Sequence, residues 1–317
     1  MRFFLLGGLG QIGLATATAL SRHGSHAITV VDVVTPNAHQ TAALERAGAT
    51  YLRSDLVDGR DLATMFQPGD RVFLGAARIT SAFRRDPAAA LALNVDATNR
   101  VYTSARESGA ELIVLASSIA VYGARPVGLI DEDHPADLNG MSPEGLAYAS
   151  CKWLGEALGR QIVQAGGSRC IALRYSTVYG PTQHAEGLYS EAIRRIYLGL
   201  PPTEVFPGLT SLGYHDYIAI DDAAAATVAA LTSDGRSGSY NVGSGVTSGP
   251  REIADVLGTH GLDTPDAQLL PSEPPFRLST QRAREELGWE AAIDLGEGIA
   301  HAIPGWTRDG SGTAGAG

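Results

Sequence analysis

Tyr148 and Lys152 stand four residues apart, and Lys152 is the only lysine in a chain of 317 residues with 24 Lys plus Arg. Arginine carries a broad, permanently charged fork, whereas lysine is a compact ammonium on a flexible stem. A lone lysine therefore marks a position where the fork would not serve. On a helix, residues four apart share a face. An ammonium beside a phenol favours the phenolate and would lower the tyrosine from its reference pKa near ~10. The pair would then act as a general base near neutral pH. Such a base needs a group that presents the reacting oxygen to it. Ser118 follows an apolar stretch over 112–116 that reads as a strand, and it precedes the helix expected over about 146–165. At that strand end its hydroxyl could hold an alcohol or ketone in front of Tyr148.

The elements that must position these groups can be read from the N-terminus. Residues 2–6 form a buried-strand pattern. The stretch Gly7-Gly8-Leu9-Gly10-Gln11-Ile12-Gly13 follows, and then a helical pattern runs to about 23. Small residues between a strand and a helix let the backbone approach a pyrophosphate, whose charge is favoured at the helix N-terminus. A second strand over 27–33 contains Asp32, about 20 residues after the glycines. There a carboxylate can accept from a ribose 2′-hydroxyl and repel a 2′-phosphate, which selects NAD over NADP. Helices are expected over 37–47, 59–66 and 86–107, with strands over 49–53 and 71–74. This alternation predicts a Rossmann-type, doubly wound parallel sheet in an α/β fold, with ligands at the strand C-terminal ends.

Composition narrows the classes. Formal charge is −10, and no basic run exceeds a pair, so a nucleic-acid face is not expected. The two cysteines, Cys151 and Cys170, give neither a disulfide framework nor metal spacing, and no metal is expected. They read as small buried hydrophobes, and a reducing cytoplasm suits them. No apolar run reaches the ~20 residues of a membrane span. Trp153 and Trp289 read as packing residues.

Together these motifs resemble the extended short-chain dehydrogenases/reductases, in the NAD-dependent epimerase/dehydratase branch. Gly7, Gly8, Gly10 and Gly13 are similar to that family's glycine signature, Asp32 to its ribose-binding acid, and Asp55-Leu56 to its adenine-side pair. Ala76-Ala77 resembles the small pair after its fourth strand. Ser118, Tyr148 and Lys152 resemble its catalytic triad. The segments Arg174 to Pro181, His215-Asp216-Tyr217, Tyr240 to Gly243 and Arg282 to Trp289 are similar to its later signatures. The resemblance implies NAD as cofactor, held by Gly7, Gly10, Gln11, Ile12, Gly13, Asp32, Asp55, Leu56, Ala76, Ala77, Asn94, Tyr148, Lys152, Tyr175 and Val178. It places substrate near Ser117, Thr177, His184, His215 and Arg277. It implies a Rossmann domain over 1–177, to which strands near 214–243 return. The less regular second half reads as a smaller C-terminal α/β substrate lobe over 178–213 and 244–308, and the small, polar stretch 309–317 as a disordered tail. The resemblance also implies a homodimer through the helices bearing Leu91, Val95, Leu154 and Leu158.

Tyr148 would take a proton from a secondary alcohol while the carbon gives hydride to NAD, with Ser118 holding the oxygen. Ile119 and Ala120 stand where dehydratases of this family carry acids, so dehydration is disfavoured. Epimerisation of a sugar or sugar nucleotide is the main reading. Thr177 and His215 replace an asparagine and an arginine usual in sugar-nucleotide members, and no arginine lies between Arg251 and Arg277. The alternative is therefore an NAD-dependent dehydrogenase of a small non-nucleotide hydroxy compound, similar to short-chain threonine dehydrogenase or acting on a polyol. A non-enzymatic NAD sensor would be expected to lack the triad.

Overall fold

The structure is a computed structural model that describes residues 1–24, 26–124, 126–181, 214–259 and 276–306. Strand β1 (Arg2–Leu6) leads through the glycine turn into α1 (Gln11–Arg22), followed by β2 (Ala27–Asp32), α2 (Ala38–Ala47), β3 (Thr50–Arg53) and the short α3 (Leu62–Met65). Then come β4 (Arg71–Leu74), α4 (Thr80–Arg85), α5 (Pro87–Leu91), a π-helical turn (Ala92–Ala97) and α6 (Thr98–Glu107). Strand β5 (Leu112–Ser118), the short β6 (Gly128–Ile130), the long α7 (Pro143–Gln164) and β7 (Arg169–Tyr175) follow. After β8 (Thr177–Tyr179) the described chain resumes with β9 (His215–Ala219), α8 (Ile220–Thr232), β10 (Gly238–Val242) and β11 (Thr247–Ser248). It continues with α9 (Pro250–Thr259), β12 (Phe276–Leu278), α10 (Gln281–Leu287) and α11 (Leu295–Ala302).

Seven strands form a parallel sheet in the order β10-β7-β5-β4-β1-β2-β3. The order reverses at β1, so the crevice between β1 and β4 is the topological switch point where such sheets bind ligands. Strand side chains alternate between two covered faces. Phe3, Leu5, Val30, Phe73 and Val114 pack with Ala17 and Leu20 of α1 and Ala223 of α8. Phe4, Leu6, Val72, Ile113 and Leu115 pack with Val101 and Tyr102 of α6. Each large apolar side chain buried this way contributes about 1.5–3 kcal/mol. Burial on both faces explains why β1 and β5 read as continuous apolar runs.

Strand β10 joins this sheet beside β7, as expected, but β9 does not. It pairs in parallel with β8 and antiparallel with β11 in a separate three-stranded sheet. The chain leaves the main sheet at Ser176, whose N–H bonds Val242 O, and so presents β8 as a new edge. A second small sheet, β6 with β12, packs its Ile130, Phe276 and Leu278 against Val121 and Tyr122.

Two helices differ from expectation. The helix expected over 86–107 is broken by the π turn. Helix α7 starts at Pro143, because Ser142 accepts from Gly145 N at 3.1 Å and proline suits the first helical position. Trp153 is no core residue: it is 52% exposed, with the Arg160 guanidinium 5.9 Å from its ring centroid. Trp289, Cys151 and Cys170 are buried. No helix among the described residues is long and apolar enough to cross a membrane.

Candidate active site

The glycine turn is built by backbone. Gly7 has φ +71°, and a Cβ there would lie 2.5 Å from Ala76 Cα. A Cβ on Gly13 would lie 2.6 Å from Gly8 Cα, so α1 packs directly on the turn. Gly7 N donates to Val31 O at 2.9 Å, and Gln40 Nε2 to Leu9 O at 3.0 Å. Asp32 accepts from Leu9 N at 3.1 Å and from Val33 N at 2.8 Å, which fixes its carboxylate beside the turn at the end of β2.

These residues fit a dinucleotide. The first turn of α1 carries no acidic residue, and its N-cap Gly10 offers no side-chain cap, so its N–H groups remain open to a phosphate. Gln11 Nε2 is buried with no hydrogen-bond partner among the described residues. Ile12 packs against the core behind the turn. On the other side of β2, Asp55 lines a cleft with Val33, Arg53, Ser54, Asp58, Arg60 and Asp61. The Leu56 side chain lies in the core rather than in this cleft. Ala76 and Ala77 sit half-buried at the tip of β4.

Asn94 acts at one remove. It lies in the π turn, accepts from Arg78 N at 2.7 Å and donates to Arg78 O at 2.8 Å. Both ends of its amide thus pin the loop that carries Ala76 and Ala77. π turns recur where a side chain must be re-aimed for function.

The catalytic candidates converge at the end of β5. Lys152 Nζ donates to Ala116 O at 2.7 Å and lies 5.6 Å from the Tyr148 ring centroid. Ser118 lies beside the Tyr148 phenol and lowers it, and its Oγ accepts from Ala120 N at 3.1 Å. The electrostatics differ from the sequence expectation. Burial pushes Tyr148 up to about 12, and Ser118 pulls it back only in part. Burial also lowers Lys152 to about 8. A cation on the open side of the phenol is what would bring it toward neutral pH.

Behind this pair lies a polar network. Glu156, one turn beyond Lys152, accepts from Arg174 Nε (2.9 Å) and Nη2 (2.7 Å), Ser117 Oγ (2.6 Å) and Ser239 Oγ (2.9 Å). Burial would raise Glu156, but the Arg174 bonds and charge outweigh it and hold the carboxyl below its usual range. Arg174 also donates to Tyr122 Oη at 2.8 Å, and Tyr122 donates to Asn241 Oδ1 at 2.6 Å. Glu156 and this chain were missed in the sequence. Its spacing, four and eight residues after Lys152 and Tyr148, was the available signal.

Several expected contacts are placed differently. The Ser117 hydroxyl donates to Glu156 Oε1 at 2.6 Å. The Tyr175 phenol is in the core, 2.6 Å from Thr227 Oγ1, and Val178 packs on that same core. Thr177 lies in β8 opposite Tyr217 of β9. His215 is lowered to about 4 by burial, so it is neutral and supplies no cation. Arg277 is exposed and donates through Nε to Gly245 O at 3.1 Å. His184 and the tail 309–317 lie outside the described residues, as does most of 178–213.

A doubly wound parallel sheet with a glycine turn at its switch point, and a Ser-Tyr-Lys set at the end of β5, defines a dinucleotide-dependent oxidoreductase-type fold and site. The profile of the NAD dependent epimerase/dehydratase family matches residues 3–243, and the chain belongs to that family. It is 29% identical to a UDP-glucose 4-epimerase of Mycolicibacterium smegmatis, across 96% of this chain and 97% of that one. It is 26% identical to a dTDP-glucose 4,6-dehydratase of Streptomyces antibioticus, across 98% of this chain and 93% of that one. A UDP-glucose 4-epimerase of Thermus thermophilus, solved in complex with NAD, superposes with a TM-score of 0.77 at 25% identity and covers 96% of this chain and 99% of its own. The chain is an NAD-dependent enzyme of this family, and NAD is its cofactor.

Proposed function

We propose that the chain is an NAD-dependent epimerase acting at a secondary alcohol of a sugar or sugar nucleotide. The observation that carries this reading is Tyr148 held between Ser118 and Lys152 at the end of β5. Gly7, Gly10, Gly13, Gln11 and Asp32 would hold the NAD. NAD, when bound, accepts hydride from the substrate carbon and returns it. Ser118 donates to the reacting oxygen and orients it. Tyr148 takes the hydroxyl proton and returns it after the ketone has presented its other face. Lys152 keeps a positive charge beside the phenol. Ile119 and Ala120 next to Ser118 cannot move protons, which supports epimerisation over dehydration.

A specific observation favours the second reading, a dehydrogenase of a small hydroxy compound. His215 is neutral, so it brings no positive charge to a diphosphate. We further read 1–177 with β10 as the cofactor domain and the segments around β8, β9, β11 and α9 as the substrate lobe. Exposed Leu91 and Leu154 support pairing of two copies through α5 and α7. The acidic net charge and two buried free cysteines suit a cytoplasmic enzyme.

The test is to denature the purified protein, identify any released nucleotide by mass, and assay UDP-glucose and UDP-galactose interconversion. Retained NAD with interconversion supports the epimerase. An empty protein that reduces added NAD with a small hydroxy compound replaces it with the dehydrogenase.

A further inference from the structure

Three consecutive residues at the end of β5 are each tied to α7. The carbonyl of Ala116 receives Lys152, the hydroxyl of Ser117 reaches Glu156, and Ser118 stands beside the Tyr148 phenol and lowers it. Tyr148, Lys152 and Glu156 are spaced by four on one helix, so all three lie on one face. The strand end and the helix therefore meet along a ladder of two hydrogen bonds and the close approach of Ser118 to Tyr148.

Glu156 is the rung that fixes the other two. Its two oxygens take four hydrogen bonds from three strands: Ser117 on β5, Arg174 on β7 and Ser239 on β10. Bidentate guanidinium–carboxylate pairs resist sliding, because both bonds must break together. Arg174 is held from behind by Tyr122 Oη and Glu132 O, each 2.8 Å away. Leu115 supplies the apolar half of this contact, and a Cβ on Gly155 would lie 3.1 Å from its Cδ2. The helix can neither rotate nor shift along β5 without breaking this set.

We propose that Glu156 is a positioning residue for the reaction, acting through Ser117 to hold Ser118 against Tyr148. This rests on the catalytic reading of Ser118, Tyr148 and Lys152. A purely structural ion pair would stabilise the fold and leave the phenol untouched.

Glu156→Gln strips Arg174 of its buried counter-ion and threatens the fold itself, so the deciding variant is Ser117→Ala. It removes one rung and leaves the ion pair. The readout is the tyrosinate absorbance of NAD-saturated protein against pH, with the Tyr148→Phe titration subtracted to isolate Tyr148. This signal needs no substrate. Groups near the phenol that remain in every sample are Ser118, Cys151 and Lys152. The expected result is an upward shift of the Tyr148 midpoint by roughly half a unit or more, because Ser118 is the neighbour that lowers it. Ser117→Thr, which keeps the hydroxyl, should restore the midpoint. An unmoved midpoint in Ser117→Ala, even with a lower melting temperature, overturns the proposal while leaving Tyr148 as the base. Turnover in Tyr148→Phe would instead remove the catalytic reading itself.

Discussion

The two halves of the site are made of different material. At the nucleotide end, the turn between β1 and α1 is shaped by backbone. Its positions matter for what they lack, since a Cβ on Gly7 or Gly13 would come within 2.6 Å of another backbone atom. At the catalytic end, β5 and α7 are held by side chains: Ser117, Ser118, Tyr148, Lys152, Glu156 and Arg174. A site made of backbone tolerates change of side-chain chemistry but no added volume. A site made of polar side chains tolerates neither loss of charge nor loss of a partner. The glycine turn therefore fails by strain, and the ladder fails by misalignment.

The sharpest test of that contrast is the phenol. Tyr148→Phe should keep NAD bound and lower turnover by roughly 10²- to 10⁴-fold, the usual contribution of a positioned acid or base. Steady-state assay beside a fluorescence titration of NAD checks both halves, and turnover near wild type refutes the assignment. Gly7→Val should do the reverse and abolish NAD binding before chemistry is reached. A β-branched residue at φ +71° costs about 1–3 kcal/mol in backbone strain alone, and its Cβ collides with Ala76. Undiminished NAD affinity in that variant would show that the turn is not the cradle.

Lys152 sharpens the comparison through stability. Its folded value near 8 is below the ordinary 10.5, so between those values the unfolded chain binds more protons. Stability from this group therefore rises as pH goes from about 8 to 10.5. Below 8 the whole cost, about 3 kcal/mol by the shift, is present. Lys152→Met should be inactive yet melt higher than the wild type at pH 7, with the gap closing toward pH 10.5. A lower melting point at pH 7 would mean that the Ala116 contact outweighs burial. The smallest effect is expected at Asp32. Asp32→Ala should narrow the preference for NAD over NADP by roughly tenfold, the scale of one charge-assisted hydrogen bond. Unchanged preference would move the selection elsewhere on the adenine side.

Much of this was legible in the residues. Apolar runs marked β1 and β5, and the turn Gly7 to Gly13 carried its own explanation in residue size. Tyr148 and Lys152 were legible from one spacing rule and one odd count. The partners of polar side chains were not legible. Ser117 looked as available for substrate as Ser118, because the alternation of a strand gives faces but not what covers them. Tyr175 looked like a cofactor contact, yet its phenol is taken by Thr227 from α8. Strand β9 was expected in the main sheet, and local pattern could not say which edge would receive it.

The sequence by itself determined the strand–helix alternation from β1 to α7, the glycine turn, the acid at the end of β2, and the helix bearing Tyr148 and Lys152. Each depends on local periodicity or residue size over a few positions. Only the tertiary structure decided that Asn94 pins the β4 loop, that Glu156 joins three strands to α7, and that Tyr148 is raised by burial. Those facts come from groups up to 83 residues apart brought into contact, where burial amplifies each charge and hydrogen bond. No spacing rule reaches that far along a chain.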